Sequence, residues 1–271
     1  MNNWLLANEP SIRLGTFVAL LVLFIGLQAL FPRRRVGRSR PRRWFANLAV
    51  SGLNALSLGL VFLLASVTAV GFAVVSSAQG WGFLNAVGLP LWVEVLIAFL
   101  LLDLVIYAQH VAFHHVPLFW RLHRMHHADL DFDVTTGVRF HPIEIVLSMG
   151  VKFAAIALIG APALAVLIFE VMLNGTSLFN HANLKLPGAL DRMLRWAVVT
   201  PDMHRVHHSV LRDETDSNFG FNLPWWDRLF GTYRAQPVEG HEGMTIGLPI
   251  FREEDAQQLP YMLISPFREP R

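Results

Sequence analysis

Four apolar stretches dominate this chain and restrict its fold more than any other feature. They run from Leu14 to Phe31, Ala46 to Val75, Leu91 to Tyr107 and Ile143 to Phe179. A bilayer crossing needs about 20 apolar residues in a helix, and lipid leaves no partner for an open sheet edge. The expected fold is therefore all-α, a multi-pass transmembrane helical bundle. The composition agrees: 54% of the residues are hydrophobic, only 15% are charged, and the mean hydropathy is +0.43.

Charge orients the bundle. Arg33, Arg34, Arg35, Arg38, Arg40, Arg42 and Arg43 crowd the segment between the first two apolar runs, and the positive-inside rule places them in the cytoplasm. Ala46–Val75 then leads out, and Ser76, Ser77, Gln79 and Gly80 lie outside. Leu91–Tyr107 returns. Gly160-Ala161-Pro162 interrupts Ile143–Phe179 at its middle, so that stretch reads as a hairpin of two helices that goes out and comes back. The expectation is an outside N-terminus, three crossings and one hairpin, with residues 33–43 and 110–142 cytoplasmic.

Histidine is the second signal. His110-x3-His114, His123-x2-His126-His127, His181 and His204-x2-His207-His208 each adjoin an apolar segment, and the deduced topology brings all four groups to one face. Residues three or four apart share a helix face, so His110 pairs with His114, and His123 with His126 or His127. Adjacent residues point about 100° apart, so each HxxHH string can serve two metals on opposite sides of one helix. Nine imidazoles supply four or five ligands to each of two metals. His115 lies off this face and reads as a structural residue or one that supports the ligands from behind. His241, in a Gly-rich tail, reads as solvated. His141, in Arg139-Phe140-His141-Pro142-Ile143-Glu144, has two readings: a tenth ligand, or a group that orients the ligands, with Glu144 accepting its ring proton. Pro142 confines His141 to extended backbone. Asp202 and Asn183 are further candidates beside the metal.

Histidine-only sites admit iron, zinc, copper or nickel. No His-Glu-x-x-His zinc-peptidase string is present, nor the Glu-x-x-His pairs of ferritin-like di-iron proteins. The chain has no cysteine, which excludes disulfides, thiolate metal sites and iron–sulfur clusters. Two metals point to redox chemistry on O2 and favour iron. The net charge of +2 without a basic stripe argues against a nucleic-acid partner.

The strings Leu122-His123-Arg124-Met125-His126-His127, Asn180-His181-Ala182-Asn183, Thr200-Pro201-Asp202-Met203-His204-Arg205-Val206-His207-His208-Ser209, Asn218-Phe219-Gly220 and Trp226-Asp227-Arg228-Leu229-Phe230-Gly231-Thr232-Tyr233, with the two His segments around 110 and 141, resemble the fatty acid hydroxylase superfamily, or sterol desaturase family, of membrane di-iron enzymes. The resemblance covers about residues 90 to 235. It implies two non-haem irons, O2 as co-substrate, and hydroxylation or desaturation of a lipid C–H bond with two external electrons. It also implies that His110, His114, His123, His126, His127, His181, His204, His207 and His208 are the ligands. Some branches carry another histidine near the one matching His181, whereas Lys185 and Pro187 stand here.

The chain divides on this reading into N-terminal transmembrane helices with the Arg-rich cytoplasmic loop (1–90), a catalytic domain (91–235) that includes a cytoplasmic helical cap holding the dimetal site, and a cytoplasmic tail (236–271). The substrate is a lipid from the bilayer. With no cysteine and no room for a cytochrome domain, a separate electron-donor protein is expected. Lysine occurs only at Lys152 and Lys185 while arginine abounds, a bias that suits a bacterial inner-membrane protein. No cleaved leader or lipidation motif is read in the terminal segments. Two other classes compete: an acyl-chain desaturase or alkane hydroxylase, and a non-catalytic metal transporter. Transporter sites lie near the bilayer midplane, whereas these histidines flank the crossings.

Overall fold

A computed structural model describes residues 3–35, 37 and 40–269. The structure is helical, and among the described residues no strand forms. Helix α1 (Asn3–Leu30) is followed by α2 (Arg40–Ala65), α3 (Ala69–Ala78), the single turn α4 (Leu84–Val87) and α5 (Leu91–His115). Then come α6 (Pro117–His127), the hairpin α7 (Pro142–Ile159) and α8 (Ala163–Asn180), α9 (Gly188–Leu194) and α10 (Pro201–His207). Among the described residues five helical segments are long and apolar enough to cross a membrane, with α2 and α3 forming one of them. Their outer faces expose leucines such as Leu56, Leu60, Leu63 and Leu64. Apolar bands of this kind are covered by lipid rather than water, and the protein is an integral membrane protein.

Local chemistry sets the breaks. Gly160 ends α7 at φ 71°, and Pro162 opens α8, so the hairpin forms where the sequence predicts it. The second crossing departs from expectation. Instead of one run over Ala46–Val75, it begins at Arg40 and breaks at Ser66 (φ 57°), where the Thr68 hydroxyl caps α3 by accepting from Gly71 N at 3.1 Å.

Two sets of contacts fix which ends lie together. Arg33 N donates to Asn183 O (3.0 Å) and Lys185 N to Phe31 O (2.9 Å), clipping the end of α1 to the segment after α8. At the opposite end, Phe83 N donates to Leu158 O (3.3 Å). There Gly82 packs so closely on the hairpin tip that a Cβ would stand 2.0 Å from Gly160 N. The arginine segment and all four histidine groups thus share one end, and both the post-α3 loop and the hairpin tip share the other, the relative arrangement that hydropathy predicts. Between them Leu102, Ile106, Ile156, Val166 and Phe169 form the core.

The arginines do more than mark topology. Arg43 is buried on α2, paired with Asp129 at 2.7 Å and with Asp133. Arg33 meets Asp202 (3.2 Å) and Glu242 (2.8 Å). Arg38 lies outside the described residues. The C-terminal segment folds back as a belt: Arg124 donates to Ser265 O (2.7 Å) and Arg268 O (2.6 Å), and Arg121 to Pro266 O (2.8 Å).

Candidate metal centre

The nine histidines converge into two groups. His110, His114, His123, His127 and His207 form one; His126, His181, His204 and His208 form the other, with the ligating atoms of each group within 4.8 Å of one another. All nine are buried. The division follows helix geometry. His110 and His114 occupy one face of the end of α5. His123 and His127, a turn apart on α6, join them, while His126 turns to the other side. On α10 His204 and the capping His208 face the second group and His207 the first. His181 caps α8 and reaches the second group because Gly137, in the turn Thr136–Val138, lies against it. A Cβ at Gly137 would stand 2.7 Å from Ser177 O and 3.2 Å from His181 Nδ1.

Six of the nine rings are held from behind. Nδ1 of His110 donates to Phe219 O (2.7 Å), that of His181 to Ser177 O (2.7 Å), that of His207 to Ser217 O (2.7 Å) and that of His126 to Arg139 O (3.2 Å). His123 Nδ1 lies 2.7 Å from Glu144 Oε1, and His114 Nδ1 3.2 Å from Asp216 Oδ1. A carbonyl or carboxylate oxygen only accepts, so these six rings carry their proton on Nδ1 and, while neutral, present a bare Nε2. Outside the spans burial disfavours the charged form: it holds His126, His127, His204 and His208 well below the ordinary imidazole value, and pushes His181 and His207 down to about 3.

The bare nitrogens then face each other. His110 Nε2 and His123 Nε2 are 3.1 Å apart, and His126 Nε2 and His181 Nε2 3.2 Å. With both Nε2 atoms deprotonated no hydrogen lies between them, and two lone pairs at that distance repel. A cation shared by the facing nitrogens converts repulsion into ligation. His207 Nε2 and both nitrogens of His208 are buried without a hydrogen-bond partner, which a metal would also relieve. The donor set fits transition-metal ions held by imidazole.

The surroundings differ between groups. Asp227 accepts from Phe219 N (2.7 Å), Gly220 N (2.9 Å) and the Thr232 hydroxyl (2.7 Å). It thereby fixes the loop whose Phe219 carbonyl holds His110. Burial still pushes the Asp227 carboxyl up to about 6 against these three donors. Behind the second group, Phe140 stacks on His126 at 4.4 Å. Asp129 is held there by Arg43, Asn47 (3.1 Å) and Thr136 (2.9 Å). Burial alone would raise the Asp129 carboxyl, but Arg43 and Arg139 more than offset it and hold it below the usual range.

Four candidates behave otherwise than expected. His141 is extended (φ −71°, ψ 138°), as Pro142 demands, but it joins neither group. Its Nδ1 accepts from Ile143 N (3.2 Å), capping α7, and its Nε2 donates to Leu263 O (3.2 Å). With both nitrogens engaged it is neither positioned as a tenth ligand nor bonded to a ligand, and Glu144 serves His123 instead. Asp202 pairs with Arg205 and Arg33. Asn183 exchanges hydrogen bonds with the Arg34 backbone at 2.9 and 2.7 Å. His241 is buried, not solvated, 3.6 Å from Asp202, because residues 240–246 fold beneath the arginine segment. His115 is exposed at the end of α5.

A cavity of about 380 Å³ opens between α1, α2, α5, α7 and α8 and reaches His110 and His123. Its walls are largely apolar, including Phe17, Leu58, Phe113 and Phe221.

Comparison with known proteins converges on one family. The family model described as fatty acid hydroxylase matches residues 95–232, just over half of the chain. An ornithine lipid hydroxylase from Rhizobium tropici is 27% identical over 81% of this chain and 65% of its own length. An alkylglycerol monooxygenase from Xenopus tropicalis is 29% identical over 76% of this chain and 46% of its own. A cholesterol 25-hydroxylase from Rattus norvegicus is 26% identical over 53% and 48%. The chain thus spans less than two thirds of the length of these relatives. No solved structure matches. The matched region contains the four histidine groups with the loops that orient them, and the chain belongs to the fatty acid hydroxylase family.

Proposed function

We propose that the protein is a membrane-bound non-haem di-iron oxygenase that hydroxylates, or in the alternative outcome desaturates, a lipid C–H bond, using O2 and two external electrons. The observation that carries this reading is the pairing of bare, buried Nε2 atoms in two groups of five and four imidazoles. The ligands of the first iron are then His110, His114, His123, His127 and His207, and those of the second His126, His181, His204 and His208. Imidazole ligation suits Fe(II). When bound, the irons supply the activation of O2 and the removal of hydrogen from an unactivated carbon. The names of the three relatives given above, two hydroxylases and a monooxygenase, support the reaction class.

The chain's own residues do the rest. Glu144 and the carbonyls of Phe219, Ser177 and Ser217 hold the Nδ1 protons and so aim the rings. The apolar walls of the cavity exclude water and guide a lipid to His110 and His123 from the bilayer. Whether hydroxyl return or loss of a second hydrogen follows depends on how closely those walls position the carbon. The arginine segment supports a cytoplasmic site in a bacterial inner membrane, where a separate electron-donor protein delivers the electrons.

Incorporation of label from isotopic O2 into a lipid product of the reduced, iron-loaded enzyme is the expected result. Label found only in water, with a new double bond in the lipid, selects the desaturase outcome. No lipid product, and no metal after anaerobic iron loading, overturns the proposal.

A further inference from the structure

The cavity has a polar seam that the oxygen chemistry does not use. Glu144, Ser148 and Lys152 stand at i, i+4 and i+8 on α7 and all line it, so they form one stripe rising about 6 Å per step. Gln109 Nε2 meets Ser148 Oγ at 2.8 Å from the α5 side. At the deep end Lys152 Nζ donates to Glu170 (2.7 Å), whose other oxygen faces Arg13 (3.0 Å). Arg13 in turn pairs with Glu9 at 2.6 Å. Glu9 balances the charge without lining the cavity. These groups sit about 12 Å along α7 from Glu144, inside the membrane, where ionisable side chains are costly and mark substrate pathways.

Near the histidines the unpartnered atoms have one chemical sense; the unpartnered donor of the lining, Arg13 Nε, belongs to the charged cluster at the deep end. Asn54, Gln109 and Glu144 line the cavity near His110 and His123, and their Oδ1, Oε1 and Oε2 atoms are buried and make no hydrogen bond. Asn54 and Glu144 are themselves more than nine-tenths buried. The Asn54 assignment is fixed because its Nδ2 donates to Phe140 O at 2.9 Å. All three atoms are acceptors. A hydrocarbon chain beside them leaves three acceptors desolvated; a lipid with O–H or N–H groups satisfies them.

We propose that the cavity takes the polar part of an amphiphile, so that the oxidised carbon lies close to hydroxyl or amine groups donating to Asn54, Gln109 and Glu144. The apolar walls opposite the seam take its hydrocarbon. The oxidation of that carbon rests on the oxygenase reading, but the binding preference stands on the cavity alone.

The test uses the full chain purified in detergent and loaded with zinc, so that nothing turns over, with dissociation constants measured by calorimetry. Three probes of equal chain length are compared: 1,2-hexadecanediol, hexadecylamine, and 1,2-dimethoxyhexadecane, which keeps the diol's oxygens but donates nothing. The diol, the amine or both should bind about tenfold more tightly than the dimethoxy compound. Which of the two does so distinguishes hydroxylated from amino lipids. Asn54→Leu and Gln109→Met should each erase most of that preference while leaving dimethoxyhexadecane binding unchanged. Glu9→Gln, which disturbs the charged cluster behind the cavity wall, should retain it. Equal binding of all three probes by the wild type overturns the proposal. So does a preference untouched by Gln109→Met, the variant that stands if Asn54→Leu fails to fold, or one abolished by Glu9→Gln. Metal analysis of the same preparation reports on the oxygenase reading separately: a chain that binds no metal but prefers the diol keeps this inference and loses that one.

Discussion

The two histidine groups share α6 and α10 but are completed by different helices, α5 for one and the end of α8 for the other, and they are held differently. The group of five is backed by the carboxylates of Glu144 and Asp216 as well as by carbonyls, and two of its members, His110 and His123, border the cavity. The group of four is backed only by the carbonyls of Ser177 and Arg139. It is sealed by Phe132 and Phe140, and lies against the buried Asp129–Arg43 network. The first group opens to the cavity, and the second is enclosed. A carboxylate partner raises the basicity of its imidazole more than a carbonyl does, so the more electron-rich half of the centre faces the cavity.

Removing an imidazole breaks the comparison most directly. His181→Ala takes one of four from the sealed group and His123→Ala one of five from the open group. We expect His181→Ala to drop the metal content from close to two per chain to about one. His123→Ala should keep more metal yet lose comparable activity, each loss exceeding the 10–100-fold typical of outer partners. Metal analysis and turnover on one preparation check this, and equal metal loss from both variants would erase the distinction.

Acid should act on both groups alike, since each holds one strongly depressed histidine. His181 and His207 have folded values of about 3, below the unfolded 6.5. A histidine depressed in this way contributes stability that is present above pH 6.5 and declines as the pH falls toward 3, because the unfolded chain takes up the proton first. Each group contributes up to about 1.4 kcal/mol per pH unit. The metal-free protein should therefore lose stability steadily in denaturant titrations below pH 6.5, and metal loading should flatten the upper part of that decline. A flat profile from pH 7 to 5 without metal would mean that the rings are not buried as described.

A smaller and more selective change is Glu144→Gln. It keeps the shape and removes the charge behind His123, and activity should fall by about 10–100-fold with most metal retained. The smallest effect is expected for His141→Ala. As an N-cap it should cost on the order of 1 kcal/mol in thermal or denaturant stability while iron content and turnover remain near wild type. Loss of one iron would restore His141 to the ligand set.

Much of this was legible in the chain. The crossings followed from apolar run length, the hairpin from Gly160 and Pro162, and the two-sided use of each HxxHH from the angle between neighbouring helix residues. The pattern was silent where backbone does the work. The carbonyls of Phe219, Ser217, Ser177 and Arg139 have no side-chain signature, so the tautomers they impose could not be read. His141 misled because its neighbours Pro142 and Glu144 suit an outer partner of a metal ligand as well as they suit a helix cap. Arg43 read as a topology mark because its partners Asp129 and Asp133 are more than eighty residues away. The E-x3-S-x3-K spacing on α7 was visible, but Lys152 entered the reading only as one of the chain's two lysines.

The alternation of neighbours on α6 and α10 has a thermodynamic consequence. His126 and His127 are consecutive, as are His207 and His208, and each pair is divided between the two groups. Neither helix can rotate to suit one ion without turning the other group's rings by the same angle. With ions bound as proposed, the first to arrive settles the roll of both helices. The second then meets rings already aimed, and its association carries less ordering entropy. Metal titration of the stripped protein should therefore be sigmoidal, with half-loaded molecules scarce at every point of the curve.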